Sequence, residues 1–244
     1  MKCLCLSDLH GNLPNLSTYE FDIVLLAGDI CGVGQDQARW LLSVFTDWVR
    51  AIGRPVFACA GNHDWALANN PRTILPANFV YLQDRFVEYN IDGHQLKIWG
   101  SPWSLPFYNW AFMEPEHCLE QRWAAIPDDT DIVITHCPPY GIGDLAHSGH
   151  YIGSTSLRDR ILQVRPRLHV FGHNHARHGI SYLPYNPTAF INATILDDGY
   201  RQAYTPIIFE LACRNYLANN QQTLGGTPMP LNEPEHDDRP CLPG

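Results

Sequence analysis

Five short, mostly apolar runs mark the first three quarters of the chain, at residues 2–6, 21–27, 56–60, 131–135 and 168–171. Runs of this length without polar alternation read as strands buried on both faces. Ala38, Leu41, Leu42, Phe45, Trp48, Val49 and Ile52 recur at i, i+3, i+4 and i+7 spacing. That spacing predicts a helix over 35–52 with one face on a sheet, stopped by Gly53-Arg54-Pro55. Gln95-Leu96-Lys97-Ile98-Trp99 alternates as a strand does and breaks at Gly100-Ser101-Pro102. Shorter runs at 80–82, 86–89, 189–193 and 207–210, with one at Tyr182, read as edge or closing strands, and 69–93 reads mainly as connecting structure. Further helices are predicted over 116–125 and from Ser156, an N-cap type, to the stop at Arg165-Pro166-Arg167. Strands and helices interleave in the α/β (α+β) manner and suit one large domain over 1–212. From Cys213 the chain turns to Asn, Gln, Gly, Pro and acidic residues, so 213–244 is predicted to be an extension without its own core.

The chemistry-bearing residues collect where the runs stop. The first run ends at Asp8-Leu9-His10, the second at Gly28-Asp29, the third at Gly61-Asn62-His63-Asp64, the fourth at His136-Cys137-Pro138-Pro139 and the fifth at Gly172-His173-Asn174-His175. Residues two apart in extended geometry share a side, which pairs Asp8 with His10 and His173 with His175. Strand ends are where open α/β sheets place their ligands. The set holds imidazole, carboxylate and amide oxygen but no thiolate. That composition disfavours a structural zinc site and suits catalytic Mn²⁺, Fe or Zn²⁺. Asp8, His10, Asp29, Asn62, His136, His173 and His175 are too many ligands for one ion. They suit two ions about 3.5–4 Å apart that share a carboxylate. Such a pair makes hydroxide available near neutral pH and neutralises charge on a phosphoryl group under attack. His63 is then the candidate proton donor to the leaving group, with Asp64 holding its tautomer. His147 and His150 are read as surface residues and His178 as structural.

Composition narrows the partners. The net charge of −9 comes from 25 acidic and 16 basic residues, and Lys2 and Lys97 are the only lysines. No basic stripe is present to track a duplex nucleic acid. An anionic substrate therefore needs bound cations to hold it. The eight cysteines form no Cys-x-x-Cys pair, which argues against a zinc ribbon or a thioredoxin motif. No apolar run reaches membrane-spanning length and no signal-peptide pattern opens the chain, so a soluble, reduced, cytoplasmic protein is expected. Trp103, Phe107, Tyr108, Trp110 and Phe112 crowd one Pro-broken stretch. They form either an aromatic wall that stacks a substrate ring, with Trp103 and Phe107 the candidate contacts, or a loop packed on the core. Oligomeric state is not readable.

Taken together, Asp8-x-His10, Gly28-Asp29, Gly61-Asn62-His63-Asp64, His136 and Gly172-His173-Asn174-His175 resemble the five-part signature of the calcineurin-like metallophosphoesterases. The resemblance covers about residues 1–212. It implies a four-layer β-sandwich of two mixed sheets flanked by helices. It implies Asp8, His10 and His175 on one metal, Asn62, His136 and His173 on the other, Asp29 bridging, and His63 as the acid. Gly100-Ser101-Pro102-Trp103, His136-Cys137-Pro138-Pro139, 165–172, and Ile191-Asn192-Ala193 with 206–209 are similar to the metallophosphoesterase-domain-containing (MPPED-type) phosphodiesterases. That similarity implies a Mn²⁺-preferring enzyme for small phosphodiesters, cyclic nucleotides included, acting through a metal-bridging hydroxide. A phosphomonoesterase or protein phosphatase on the same site, or a non-catalytic nucleotide-binding scaffold, are the rival readings.

Overall fold

The structure, a computed structural model, describes residues 1–34, 36–70, 75–91 and 94–212. The expected C-terminal extension, 213–244, lies outside the described residues. Eleven strands run in chain order: β1 Lys2–Leu6, β2 Ile23–Ala27, β3 Val56–Cys59, β4 Phe79–Tyr81, β5 Arg85–Ile91, β6 His94–Ser101, β7 Ile132–Thr135, β8 Leu168–Phe171, β9 Gly179–Tyr182, β10 Ala189–Asn192 and β11 Ile207–Glu210. They form two mixed sheets, β11-β1-β2-β3-β4 and β5-β6-β7-β8-β10-β9. Within each sheet the central strands are parallel, and β11, β5 and β9 at the margins are antiparallel to their neighbours.

The uniform apolarity of the runs follows from burial on both sides. Cys3 and Cys5 of β1, Ile23 and Leu25 of β2, and Phe57 and Cys59 of β3 point between the sheets. There they meet Ile98, Ile132, Ile134, Leu168 and Val170 of the second sheet. The alternate residues Leu4, Leu6, Val24, Leu26, Val56 and Ala58 face outward onto the helical layer. Each fully buried Leu, Ile or Phe on these faces contributes roughly 1.5–3 kcal/mol. The parallel central strands therefore have dry faces on both sides and all end at one rim.

The predicted long helix is α1 Gln37–Trp40, a π-helical segment Leu41–Phe45, and α2 Thr46–Ile52. Asp36 caps its start by accepting the Arg39 N–H, and Gly53 ends it in the left-handed region at φ 63°. The Thr46 hydroxyl donates to the Leu41 carbonyl five residues back, at 2.8 Å, which matches the wider π turn. The extra residue of that turn breaks the simple 3.6-residue register. Leu42, placed on the apolar face by spacing, is 55% exposed as a result. Helix α3, Trp65–Asn69, follows Asp64 directly and was not expected. Helices α4 Glu116–Trp123 and α5 Thr155–Val164 cover the second sheet. The cap of α5 is Ser154, whose Oγ accepts the Leu157 N–H, and not Ser156. Ser156 instead turns its hydroxyl and backbone N–H to Glu116. Cys3, Cys5, Cys31, Cys59 and Cys137 are buried free thiols, but Cys118 is disulfide-bonded, against the expectation of a reduced protein. Among the described residues no helix is long and apolar enough to cross a membrane.

His169 on β8 is fully buried between the strands and the outer layer. The Thr135 hydroxyl donates to the Cys137 carbonyl, so it accepts from His169 Nε2–H at 2.8 Å. That fixes the neutral tautomer and leaves Nδ1 without a hydrogen-bond partner among the described residues. Burial accordingly pushes the ring down to about 3. The unfolded chain, with an ordinary pKa near 6.5, takes the proton first. This contribution to stability is whole above pH ~6.5 and is lost as pH falls toward 3, at about 1.4 kcal/mol per unit. Urea titrations at pH 7 and pH 5 should therefore show a smaller acid loss in His169→Gln than in the parent, by about 2 kcal/mol. Equal losses in the two proteins would refute a ring held neutral by burial.

Candidate metal centre

The loops after the strands stay paired at the rim. Asp8 N–H donates to Gly28 O, His10 N–H to Asp29 O and Gly11 N–H to Ile30 O, which continues the β1–β2 pairing beyond both strands. In the second sheet Gly172 N–H donates to His136 O. The two rims touch at Gly172, where an added Cβ would sit 1.9 Å from Ser7 Oγ and 2.3 Å from Asp8 Oδ2. Gly61 is similarly enclosed, with Asp29 Oδ1 at 2.3 Å and His136 Cε1 at 2.8 Å from its missing Cβ. The glycines before Asn62 and His173 are thus demanded by close approach. Asp8, His10, Asp29 and His173 all hold left-handed φ, at 55°, 42°, 50° and 67°. Each costs on the order of 1–3 kcal/mol, and such residues persist where the surroundings over-determine them.

The structure brings all seven candidate ligands together. Asp8, His10 and His175 form one group, His10, Asp29 and His63 a second, and Asp8, Asp29 and His136 a third. Within each group the ligand atoms lie within 4.8 Å of one another. His175 Nε2 is 3.3 Å from Asp8 Oδ1, and His10 Nε2 and His136 Nε2 are 3.5 and 3.3 Å from Asp29 Oδ2. Asn62 Oδ1 lies 2.9 Å from both His136 Nε2 and His173 Nδ1, which are 3.3 Å apart. Two rings are oriented from behind: His136 Nδ1 faces Ala27 O at 2.9 Å and His175 Nδ1 faces Asp197 O at 3.0 Å. Those bonds leave each Nε2 directed into the cluster. The carboxylates are braced too, Asp8 by the His173 N–H and Asp29 by the His63 N–H.

The electrostatics follow from two buried carboxylates among imidazoles. Burial works to raise Asp29, but His136, then His10 and His63, hold it far below the usual range. Asp8, opposed by burial in the same way, is brought to about 2 by His175. Reciprocally, against its own burial, Asp29 raises His136 to about 9, and Asp8 does the same for His175. Burial dominates at His10 and His173, which fall to about 4 and 3, and it also lowers His63. Protons on His136 and His175 thus balance the two carboxylates, and a divalent cation would displace them.

These residues fit metal ions. Both ring nitrogens of His10 are buried without a hydrogen-bond partner among the described residues. Asn62, His136 and His173 turn three ligand-type atoms toward one another. Around an ion with bonds near 2.1 Å, ligands at right angles are about 3.0 Å apart, which is the spacing seen.

Three expectations change. Asp64 does not orient His63. Its carboxylate accepts the backbone N–H groups of Cys31 at 2.7 Å, Gly61 at 2.8 Å and Ile30 at 3.1 Å. Burial, then Asp29, raises Asp64 to about 6 against those bonds. Trp103 is 8% exposed, donates to Asp84 at 2.8 Å, and has the Arg122 guanidinium 3.7 Å above its ring, so its face is already taken. Phe107 is 59% exposed and packs edge-on against Tyr108. The aromatic rings that meet the cluster are Trp110, 4.2 Å from His63, and Tyr200, 4.7 Å from His10 and 5.5 Å from His175. Trp110 lay unsingled in the aromatic stretch, and Tyr200 follows an Asp-Asp-Gly turn that carries no periodic signal. His147 and His150 are exposed, with His147 paired to Asp198, while His178 donates its Nδ1–H to Thr194 O and stacks on Tyr204.

Residues 1–177 match the model of the calcineurin-like phosphoesterase family. A Caenorhabditis elegans UPF0046 protein is 30% identical, over 86% of this chain and 81% of its own length. The human metallophosphoesterase domain-containing protein 1 is 28% identical, over 86% of this chain and 71% of its own. Among solved structures, a Thermus thermophilus protein aligns with a TM-score of 0.55 at 17% identity, over 78% of this chain and 88% of that one. The phosphopantetheinyl hydrolase of Mycobacterium tuberculosis aligns at 0.51 and 16% identity, over 92% and 98%. At these identities the structures speak to the fold alone, two mixed sheets with flanking helices.

Two substitutions probe the geometry. Gly61→Ala pushes a methyl group onto Asp29 and His136, and calorimetry should find Mn²⁺ bound at least tenfold more weakly, a shift of the order seen for lost ligand support. Undiminished affinity would mean that the loop yields freely. Asp64→Asn exchanges one acceptor oxygen for an amide that faces N–H donors. Urea denaturation should record a loss of about 2–3 kcal/mol, reflecting a buried donor left unpaired. No loss would return Asp64 to a role in the chemistry.

Proposed function

The chain belongs to the calcineurin-like phosphoesterase family, and on that footing we propose that it is a dinuclear, metal-dependent phosphodiesterase acting on small phosphodiesters, cyclic nucleotides among them. The observation that carries the proposal is the position of Asp29. It shares one ligand group with His10 and His63 and another with Asp8 and His136, as a carboxylate between two cations would. Asp8, His10 and His175 would hold one ion, Asn62, His136 and His173 the other, and Asp29 would belong to both. When bound, such a pair supplies water of lowered pKa and offsets charge on the phosphoryl group. The mixed nitrogen and oxygen set favours Mn²⁺, with Fe or Zn²⁺ as the alternatives.

The protein's own groups supply the rest. His63 is the leaving-group acid. It is buried beside the cluster, its Nε2 is 3.9 Å from Asp29 Oδ2, and its backbone is fixed by the bond from its N–H to Asp29 Oδ1. An acid held at the margin of the ligand set can reach the oxygen that departs opposite the attacking water. The loops that exclude bulk water arise from both sheets, so the catalytic unit is 1–212 as a whole.

Purified protein supplied with Mn²⁺ should hydrolyse an aryl phosphodiester faster than the matching monoester. Asp29→Asn should cut kcat by a thousandfold or so while the far-ultraviolet circular dichroism stays unchanged. A monoester preference would move the assignment to phosphomonoesterase. An active Asp29→Asn protein would remove Asp29 from the centre.

A further inference from the structure

With Asp64 committed to backbone N–H groups, no side-chain hydrogen bond among the described residues holds the His63 ring, whose Nε2 is 3.9 Å from Asp29 Oδ2. Its Nδ1 is buried and has no hydrogen-bond partner among the described residues. General acids of this kind are ordinarily aimed by a bond to the second ring nitrogen. Here the ring is held by other rings. The Trp110 indole lies 4.2 Å from it with 34° between the planes, and His10 meets it edge-on at 4.6 Å and 79°. Tyr200 closes a third side at 6.3 Å and 71°. Trp110 is itself fixed to the same loop, since the next residue, Ala111, donates its N–H to the Asn62 carbonyl at 3.0 Å. The indole and the imidazole thus hang from one short piece of backbone around Asn62.

We propose that Trp110 is the positioning residue for His63: its indole face, held to the Asn62 backbone, fixes the imidazole so that Nε2–H points at the departing oxygen. The inference rests on the phosphodiesterase reading above. In that reaction the water oxygen forms the new P–O bond and the bond to the leaving oxygen breaks. The electron pair stays with the leaving oxygen, the His63 proton joins it, and the proton given up by water restores the ring. Trp110 exchanges no atom. It acts only through the orientation of His63, so its loss matters in proportion to how badly the leaving oxygen needs a proton. A stacked ring contributes modest energy, but it removes the rotation that a ring without a polar anchor would otherwise have.

The test is a graded series of methyl phenyl phosphodiesters with Mn²⁺, from 4-nitrophenyl to unsubstituted phenyl. General acid catalysis is worth about 10²–10⁴ where it is needed. Trp110→Ala should slow the unsubstituted ester about thirtyfold, part of that range, and the nitrophenyl ester less than about threefold. Trp110→Phe should restore most of the loss, and Trp110→Ala should add nothing in a His63→Gln background. An equal loss across the series with raised KM would make Trp110 a wall for the substrate ring and overturn the proposal. A readout independent of turnover uses metal-free protein, where the indole face should shift the His63 ring protons upfield in NMR spectra. Trp110→Ala should return them toward ordinary positions, and unmoved resonances would also overturn it. A wild-type protein inert toward every ester would instead refute the phosphodiesterase reading, while the NMR result would still judge the placement of His63.

Discussion

Two buried carboxylates set the terms for the rest of this molecule. Asp8 and Asp29 lie at 0% and 2% exposure, in one ligand group, at the meeting of two sheets. Removing such charges from water costs several kcal/mol apiece unless each is matched by opposite charge and hydrogen bonds. The match is made from both sheets. Asp8 of the first takes the His173 N–H and the His175 ring of the second, and Asp29 takes the His63 N–H and the His136 ring. Neither carboxylate could be retained by one sheet alone. The sandwich and the cluster are therefore a single requirement, met at the rim where the parallel strands end.

That requirement accounts for the strained residues at the rim, though not for those elsewhere, such as Asp84, Arg165 and Tyr185. Four non-glycine residues in the left-handed region, Asp8, His10, Asp29 and His173, are candidate ligands of the same cluster. Strain of a few kcal/mol each would unfold an isolated loop, and it is tolerable at the edge of a rigid frame. The frame is rigid because its central strands are apolar on both faces, with Cys3 and Cys5 inward where Leu4 and Leu6 point outward. Alternation is invisible in the primary structure because both faces are dry. The glycines follow the same logic. Gly61 and Gly172 mark places where the polypeptides press closer than any side chain allows.

How much of this was legible divides along physical lines. Strand ends were legible because burial forces an apolar run and a ligand forces a polar stop, both of them local facts. Their convergence was legible from ligand count, since seven such groups have no other common purpose. What escaped was any feature decided by partners far along the chain. Ser154 and Ser156 are equally good caps by type, and both hydroxyls reach Glu116 from about 40 residues away, but only Ser154 also accepts the Leu157 N–H. Leu42 keeps perfect helical spacing, yet a π turn moves it to solvent. Trp103 and Trp110 are chemically alike. Asp84 and Arg122 occupy the first, which leaves the second to meet His63.

The pair His63-Asp64 shows the same limit most sharply. An imidazole beside a carboxylate in the chain suggests a hydrogen-bonded couple, but neighbours at a turn diverge. Asp64 points back under the loop and gathers three N–H groups from Ile30, Cys31 and Gly61, so it ties the β2 loop to the β3 loop. Its service to His63 is indirect, because it fixes the backbone on which Asn62 and His63 stand. The ring is then left to aromatic neighbours, and this divides the labour. Charge and hydrogen bonding hold the candidate ligands, while rings surround the proposed acid. A carboxylate bonded to that ring would add a negative charge to a cluster whose two carboxylates are already balanced by His136 and His175, and an indole face does not.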